Sequence, residues 1–237
     1  MKTLTTLILL LAAPAFAGTP VVGKGPVAPS PADPCLFTWF AGGSVGYLTE
    51  LEEPMYHLHV GTDTCWNVGG WDIALFAEIG YAEKKNSFRY RGGGNSSLLL
   101  DDGDTLSISD LDNAFRSLTS QTALDSSYKL RIIPITANIK FEREIANNLG
   151  AYFGAGLGVA NIDFSARVGG FSFSDDDWVF VAQAFAGLVY NVTSAFEVYG
   201  GGRYIYYSDP SFSSGGVGGK LDMGNEFLIE LGGRYNF

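Results

Sequence analysis

The two histidines of the chain, His57 and His59, stand two residues apart in "MYHLHVGTDT" (55–64). In an extended segment that spacing puts both rings on one face, where they could share a metal ion or supply a base. A zinc site needs at least one more protein ligand, and the sequence marks none. Inward-facing structural histidines are therefore the expectation, with no metal and no cofactor. A second set carries charge. Glu78, Lys140, Glu142, Glu197, Arg203, Glu230 and Arg234 all fall opposite the aliphatic residues of alternating segments. Such residues could form an ion path; a static salt-bridge network is the expected arrangement. "DDGD" (101–104) has carboxylates in a run, but not the spaced oxygen ligands and distal Glu of a calcium loop. It is expected to be a solvated loop.

Alternation at period two runs through most of the chain. The last stretch, "FLIELGGRYNF" (227–237), sets Phe227, Ile229, Leu231, Tyr235 and Phe237 against Leu228, Glu230, Gly232, Arg234 and Asn236. Similar segments occur at 36–48, 55–64, 71–83, 128–145, 151–164, 178–190 and 195–207. Eight strands of about ten residues each match the ~9–11 residues that a tilted strand needs to cross a bilayer. Connections 65–70, 146–150 and 191–194 are short, whereas 84–127, 165–177 and 208–224 are long. Only 49–54 breaks the long set. A barrel with turns on one rim and loops on the other sorts its connections in this way.

Placing the charged face outside would put ions in lipid at roughly 2–4 kcal/mol each at mid-depth. The charges are therefore expected to point inward, into a polar, filled interior of the size that eight strands enclose. Trp39, Trp71, Phe141, Phe153, Tyr190, Phe196, Tyr235 and Phe237 are expected to girdle the turn rim. Tyr47, Tyr56, Tyr81, Phe180, Tyr204, Tyr206 and Phe227 are expected at the loop rim. The acidic runs 101–104, 109–112 and 174–178 are placed in loops. Within 84–127, "SDLDNAFRSLTS" (109–120) sets Leu111, Ala114, Phe115 and Leu118 at helical spacing and predicts a short helix over the mouth. "SLLL" (97–100) is expected to extend the hairpin above the membrane.

The ends define the organisation. Lys2, an apolar run from Leu7 to Ala13 and Ala15-Phe16-Ala17 read as a signal peptide, residues 1–17. Residues 18–34 are a Pro- and Gly-rich leader, and 35–237 form the barrel domain. Gly numbers 31 of 237 and charged residues are 17%, below the usual quarter of a soluble domain. The net charge of −10 excludes nucleic acid as a partner. Cys35 and Cys65, in an exported chain, are expected to form one disulfide. They flank the first hairpin nearly symmetrically, although regular strands would set them on opposite faces.

The terminal "ELGGRYNF" resembles the signal read by the barrel-assembly machinery of Gram-negative outer membranes. Glu230, Gly232, Tyr235 and Phe237 occupy its polar, small, third-last and last places. Over 36–237 the layout resembles the small outer-membrane barrels, OmpA-like, OmpX-like and opacity-type. The resemblance implies an all-β, eight-stranded, antiparallel up-and-down transmembrane β-barrel located in the cell outer membrane. Its partners would be outer-membrane lipids, the assembly machinery during insertion and an extracellular ligand at loop 84–127. The first loop is short and the second very long, a departure from the pattern, and no periplasmic peptidoglycan-binding domain follows. Some such barrels modify lipid A with a His, a Ser and an acid. The deacylase pattern has Ser two residues after His, where this chain has His59. The expected role is structural or surface-interactional rather than enzymatic. A lipid A-modifying enzyme and a soluble lipocalin-like barrel are the alternatives.

Overall fold

The computed structural model describes residues 37–88, 105–122, 125–214 and 217–237. Eight long strands form its wall: β1 (Thr38–Leu48), β2 (Glu53–Val68), β3 (Trp71–Phe88), β5 (Ser126–Ala146), β6 (Leu149–Val168), β7 (Phe171–Asn191), β8 (Phe196–Tyr207) and β11 (Asn225–Asn236). They pair antiparallel in the cyclic order β1-β11-β8-β7-β6-β5-β3-β2, and β2 closes on β1. Each segment expected as a strand is one. The leader 1–34, Cys35, "SLLL" and "DDGD" lie outside the described residues.

Local chemistry sets the turns. Gly69 and Gly70 both take positive φ between β2 and β3, as a two-residue hairpin turn that matches strand twist requires. Asn148 holds the same left-handed region between β5 and β6. At the seam, Ala41 pairs with Tyr235 and Leu48 with Leu228. The Phe237 amide then donates to the Trp39 carbonyl at 2.8 Å. Pairing with β1 thus runs to Phe237, leaving neither of those strands an open edge. Between β3 and β5 the register pairs Ile79 with Ile135 and next Ala82 with Ile132. The gap falls opposite Pro134, which has no amide hydrogen to give a ladder.

The two faces are inverted relative to a soluble sheet. Ile229 and Leu231 are 62% and 65% exposed, whereas Glu230 and Arg234 are each 5% exposed. Leu58, Leu157, Val159 and Ile135 also face outward. The rings expected at the two rims are exposed or half-buried on that outer face. Trp71, Phe153 and Phe141 cluster at the turn rim, with centroids 4.9 and 5.1 Å apart. Among the described residues no helix is long and apolar enough to cross a membrane; the strands supply the apolar band.

Three expectations need correction. The interior is mainly polar in its turn-side half and mainly apolar in its loop-side half, where Glu226 and Lys84 are buried among apolar side chains. Leu48, Leu51, Met55, Leu130, Ile132, Ile162, Val181, Ile205, Tyr207 and Leu228 fill the loop-side half as a buried apolar plug. The connection 165–177 is no long loop: β6 and β7 run on to a tight turn at Gly169, whose φ is +58°. The acidic run 174–178 is consequently strand, paired with β6 from Asn161 to Ser165. The run 109–112 is helix rather than loop, because it opens α1 (Ile108–Thr122).

That helix starts one residue before the expected segment and ends two after it. Phe115 buries its ring against Tyr128 and Phe164, and Tyr128 donates to Asp112 at 2.5 Å. A small sheet unforeseen in the sequence joins two loop-side connections. Its strand β4 (Thr105–Ser107) runs parallel to β10 (Val217–Asp222), which pairs antiparallel with β9 (Ser211–Ser214).

Candidate functional site: the charged lumen and its cap

The period-two pleat carries inner residues from six strands to two levels of the turn-side lumen. At the upper level Arg203 of β8 is the hub. Its guanidinium is held bidentately by Glu78 of β3, with one of the two bonds at 3.2 Å. It also donates to both oxygens of Glu230 of β11 at 3.1 Å and to the Gln183 carbonyl oxygen at 3.1 Å. The Gln183 amide in turn donates to Thr136 at 3.1 Å, Asn138 at 2.6 Å and Glu78 at 3.2 Å. Phe185 lies under the guanidinium, 5.2 Å from its carbon to the ring centre. A cation taken from water needs this density of partners, because desolvating it costs several kcal/mol.

At the lower level Arg234 is the second hub. It donates to Glu197 at 2.5 and 3.1 Å and sits 3.4 Å from Asp63 and 3.5 Å from Glu142. Lys140 contacts Glu142 at 2.6 Å, and the Asn236 amide donates to Glu197 at 2.7 Å. The seven charged residues singled out in the sequence thus form two clusters, one around each arginine. Sequence reasoning left out Gln183, Asp63 and Ser44, and did not connect Thr136 or Asn138 to the charges. Their inner-face positions were readable; their long-range partners were not.

His57 and His59 are buried on the inner face at different levels. Ser44 Oγ stands 3.4 Å from His57 Nδ1 and donates to Glu230 at 3.2 Å. The hydroxyl therefore sits between ring and carboxylate, whereas a nucleophilic triad has the ring between hydroxyl and acid. His59 is boxed by Phe40, Phe76 and Tyr199 at 5.7–6.1 Å between ring centres. Among the described residues no group of three His, Cys, Asp or Glu side chains is placed to hold a metal.

Space between the two levels is small. A cavity of about 40 Å³ lies among Phe76, Glu78, Tyr152, Phe185, Tyr199 and Arg203. Small-molecule sites usually run to ~300–1,000 Å³. Glycines make the close packing feasible. A Cβ on Gly232 would collide with the Tyr199 ring and the Gly43 carbonyl oxygen, and one on Gly158 with the backbone of Ile135 and Thr136. Gly232 of the terminal motif therefore has a packing reason in the folded wall. Tyr235 and Phe237 lie exposed on the outer face, while Glu230 is buried inside. Cys65 is exposed near the turn-side end of β2.

No protein family and no curated protein matches this sequence. Solved structures do. A major outer membrane protein from Thermus thermophilus superposes with a TM-score of 0.53 at 10% identity, over 85% of this chain and 100% of the other. Neisserial surface protein A aligns over 85% and 97% of the two chains at 13% identity, with a TM-score of 0.46. Ail, the attachment invasion locus protein of Yersinia pestis, aligns over 85% and 97% at 16% identity, with a TM-score of 0.38. Identities this low carry the fold and nothing further. The closed eight-strand ring, the apolar outer band and the ionised lumen agree with that fold, an antiparallel eight-stranded β-barrel of the outer-membrane type.

Proposed function

We propose that the chain is a structural and surface-interaction protein of the outer membrane, acting through its loop-side face. The observation that carries this reading is the apolar plug under α1. It separates the charged lumen from the loop side, so chemistry with outside molecules falls to the cap and the projecting strands. Barrels of this kind diversify in their loops. The lumen clusters act here as a static, wall-bracing network.

The reading is tested by inserting a short epitope within 89–104 and, separately, at Ser194 in the turn between β7 and β8. Antibody should reach the first on intact cells and the second only after permeabilisation; the opposite pattern would sink it. Replacing 89–124 with a short Gly-Ser link should then preserve heat-modifiable gel migration while removing the surface cross-links formed by the intact chain. Identical cross-links with and without the segment would count against a role for this face.

A lipid A-modifying activity is the weaker reading. His57 and Ser44 face the lumen, and acyl chains lie on the other side of the wall. Loss of a lipid A modification in His57→Ala, with folding intact, would reinstate it. A soluble ligand-binding barrel is disfavoured by the exposed apolar band and the small cavity.

Residues 1–17 are proposed as a cleaved signal peptide, 18–34 as a periplasmic leader, and Glu230, Gly232, Tyr235 and Phe237 as the signal for the assembly machinery. A Cys35–Cys65 disulfide is also proposed. The β1–β2 register pairs Thr38 with Asp63, two residues from Cys65. A mass shift on reduction and alkylation checks the bridge.

A further inference from the structure

The connection between β1 and β2, residues 49–52, folds into the mouth of the barrel. Its Leu51 is fully buried and joins the plug with Leu48, Met55, Met223, Leu228 and, from α1, Phe115. The Thr49 amide begins the turn by donating to the Phe227 carbonyl at 2.9 Å. The turn ends on Glu52 at φ +57°, a left-handed conformation that few residues other than glycine adopt. A short strap bent inward in this way needs anchors.

Two charged side chains supply them. Glu226 of β11, fully buried, accepts from the Glu50 amide at 3.2 Å, with the Leu51 amide also directed at it. Lys84 of β3, itself buried, donates to the Leu51 carbonyl at 3.1 Å. A carboxylate thus grips one side of Leu51 and an ammonium the other. Glu226 Oε1 is buried and has no hydrogen-bond partner among the described residues, and the same holds for the Tyr207 hydroxyl of β8. The register partner of Glu226 is Ile205, so Tyr207 lies diagonally across the strand pair on the same inner face, within reach of a long side chain. Glu50 in the strap, Lys84 on β3 and Tyr207 on β8 are the titratable groups that act on Glu226 from the elements around it; Arg203 and Glu230 stand farther down β8 and β11.

An ionised carboxylate only accepts hydrogen bonds, whereas a protonated one also donates. Ionised, Glu226 binds the strap amides with charge-assisted bonds. Neutral, it is a weaker acceptor and has the Tyr207 oxygen to donate to. We propose that Glu226 is a proton-operated latch for the β1–β2 strap, holding Leu51 in the mouth while ionised and releasing it when protonated. Release adds Leu51 and the apolar pocket it vacates to the loop-side face, while the remaining plug, the wall and both arginine clusters stay in place. That the latch senses the external medium rests on the outer-membrane reading; the latch itself does not.

Amide exchange followed by NMR tests this on the full barrel in neutral detergent micelles, from about pH 8 to about pH 4. Protection is the measured rate relative to the intrinsic rate at each pH. Wild type should lose protection at Glu50 and Leu51 by about tenfold on acidification, with Val159 in the wall unchanged. Glu226→Gln, neutral and similar in shape, should show the low protection throughout. Glu50→Gln should respond as wild type does. Tyr207→Phe removes the partner of the neutral acid and should move the transition to lower pH by about one unit. Constant protection in wild type, a pH response that survives in Glu226→Gln, or an unmoved transition in Tyr207→Phe overturns the proposal. Should Glu226→Gln fail to fold, the wild-type and Tyr207→Phe series still decide. Heat-modifiable migration reports on folding and epitope access on membrane placement, so a failed latch and a failed outer-membrane reading give different results.

Discussion

Arg203 illustrates how a single side chain can hold a wall together. It links β3, β7 and β11 through Glu78, Gln183 and Glu230, and burial denies all three charges their water. Removing one partner of a buried ion pair typically costs ~3–5 kcal/mol, because the remaining charge stays unpaired. Arg203→Met should therefore destabilise the barrel by about 3–5 kcal/mol in urea unfolding from lipid vesicles. Adding Glu78→Gln and Glu230→Gln should recover part of the loss, and an unchanged deficit in the triple variant would mean that packing dominates. Gly232 makes the converse case of required emptiness. Gly232→Val should cost about 1–3 kcal/mol by overpacking, and Tyr199→Ala in the same chain should relieve the part due to the ring, leaving the clash with the Gly43 carbonyl oxygen. Glu83, above the membrane band, gives a pH signature. Its bonds from Lys85, Tyr81 and Lys129 depress its pKa from 4.5 to about 2. A depressed carboxylate contributes stability that is complete above its unfolded value and disappears as pH falls through the folded one. Wild type should thus lose its thermal advantage over Glu83→Gln as pH drops from about 4.5 towards 2, with no change between pH 6 and 8.

Elements above the band obey different rules from those within it. Inside the bilayer, lipid on one side and a polar lumen on the other impose a period of two, which is why Phe76, Glu78 and Gly80 could be separated from Ile79 and Tyr81 by sequence alone. Above it, water reaches the outer wall and the pattern fades. The run "SDDDW" looks like a loop by composition, and only its pairing with β6 makes it strand. The sheet of β4, β9 and β10 was illegible for a related reason. Its strands are short, and β4 meets β10 across more than a hundred residues, beyond any local pattern. Helix α1 was legible because its apolar residues recur at helical spacing and face a mouth that needs covering. Phe115→Ala should loosen this cap while sparing the barrel, since the ring packs on Tyr128 and Phe164 rather than on the wall's hydrogen bonds. Hydrogen exchange should accelerate across 108–122 and leave β5 below Ile133 protected; equal acceleration in both would show that helix and wall unfold as one.

At the scale of the molecule, the lumen is two media stacked end to end. The turn-side half solvates ions with ions; the loop-side half is mainly apolar, and its buried Glu226 and Lys84 are held by the Glu50 amide and the Leu51 carbonyl. The second half was hidden in the sequence because its inner residues adjoin equally apolar outer ones, as in "RIIPI" and "YIYY", where alternation cannot assign a side. Its consequence is electrical. An ion crossing the barrel would have to pass among Leu51, Met55, Leu130, Ile162, Ile205 and Leu228, all nearly or fully buried in mutual contact. A bare ion in such a medium pays a Born penalty of order 20 kcal/mol before relaxation. Lumen charges below the plug lie outside that layer and are held mainly by one another. The wild-type barrel should therefore insert into planar bilayers without single-channel steps. A Leu51→Gly/Met55→Gly/Leu228→Gly variant removes three side chains from the plug and leaves both arginine clusters intact. It should fold, as gel migration would show, and admit water-filled openings with small cation-selective currents, given the acidic lining beneath. Steady conductance in the wild type would place the seal elsewhere, whereas a silent, folded triple variant would move it to α1 and the strands above.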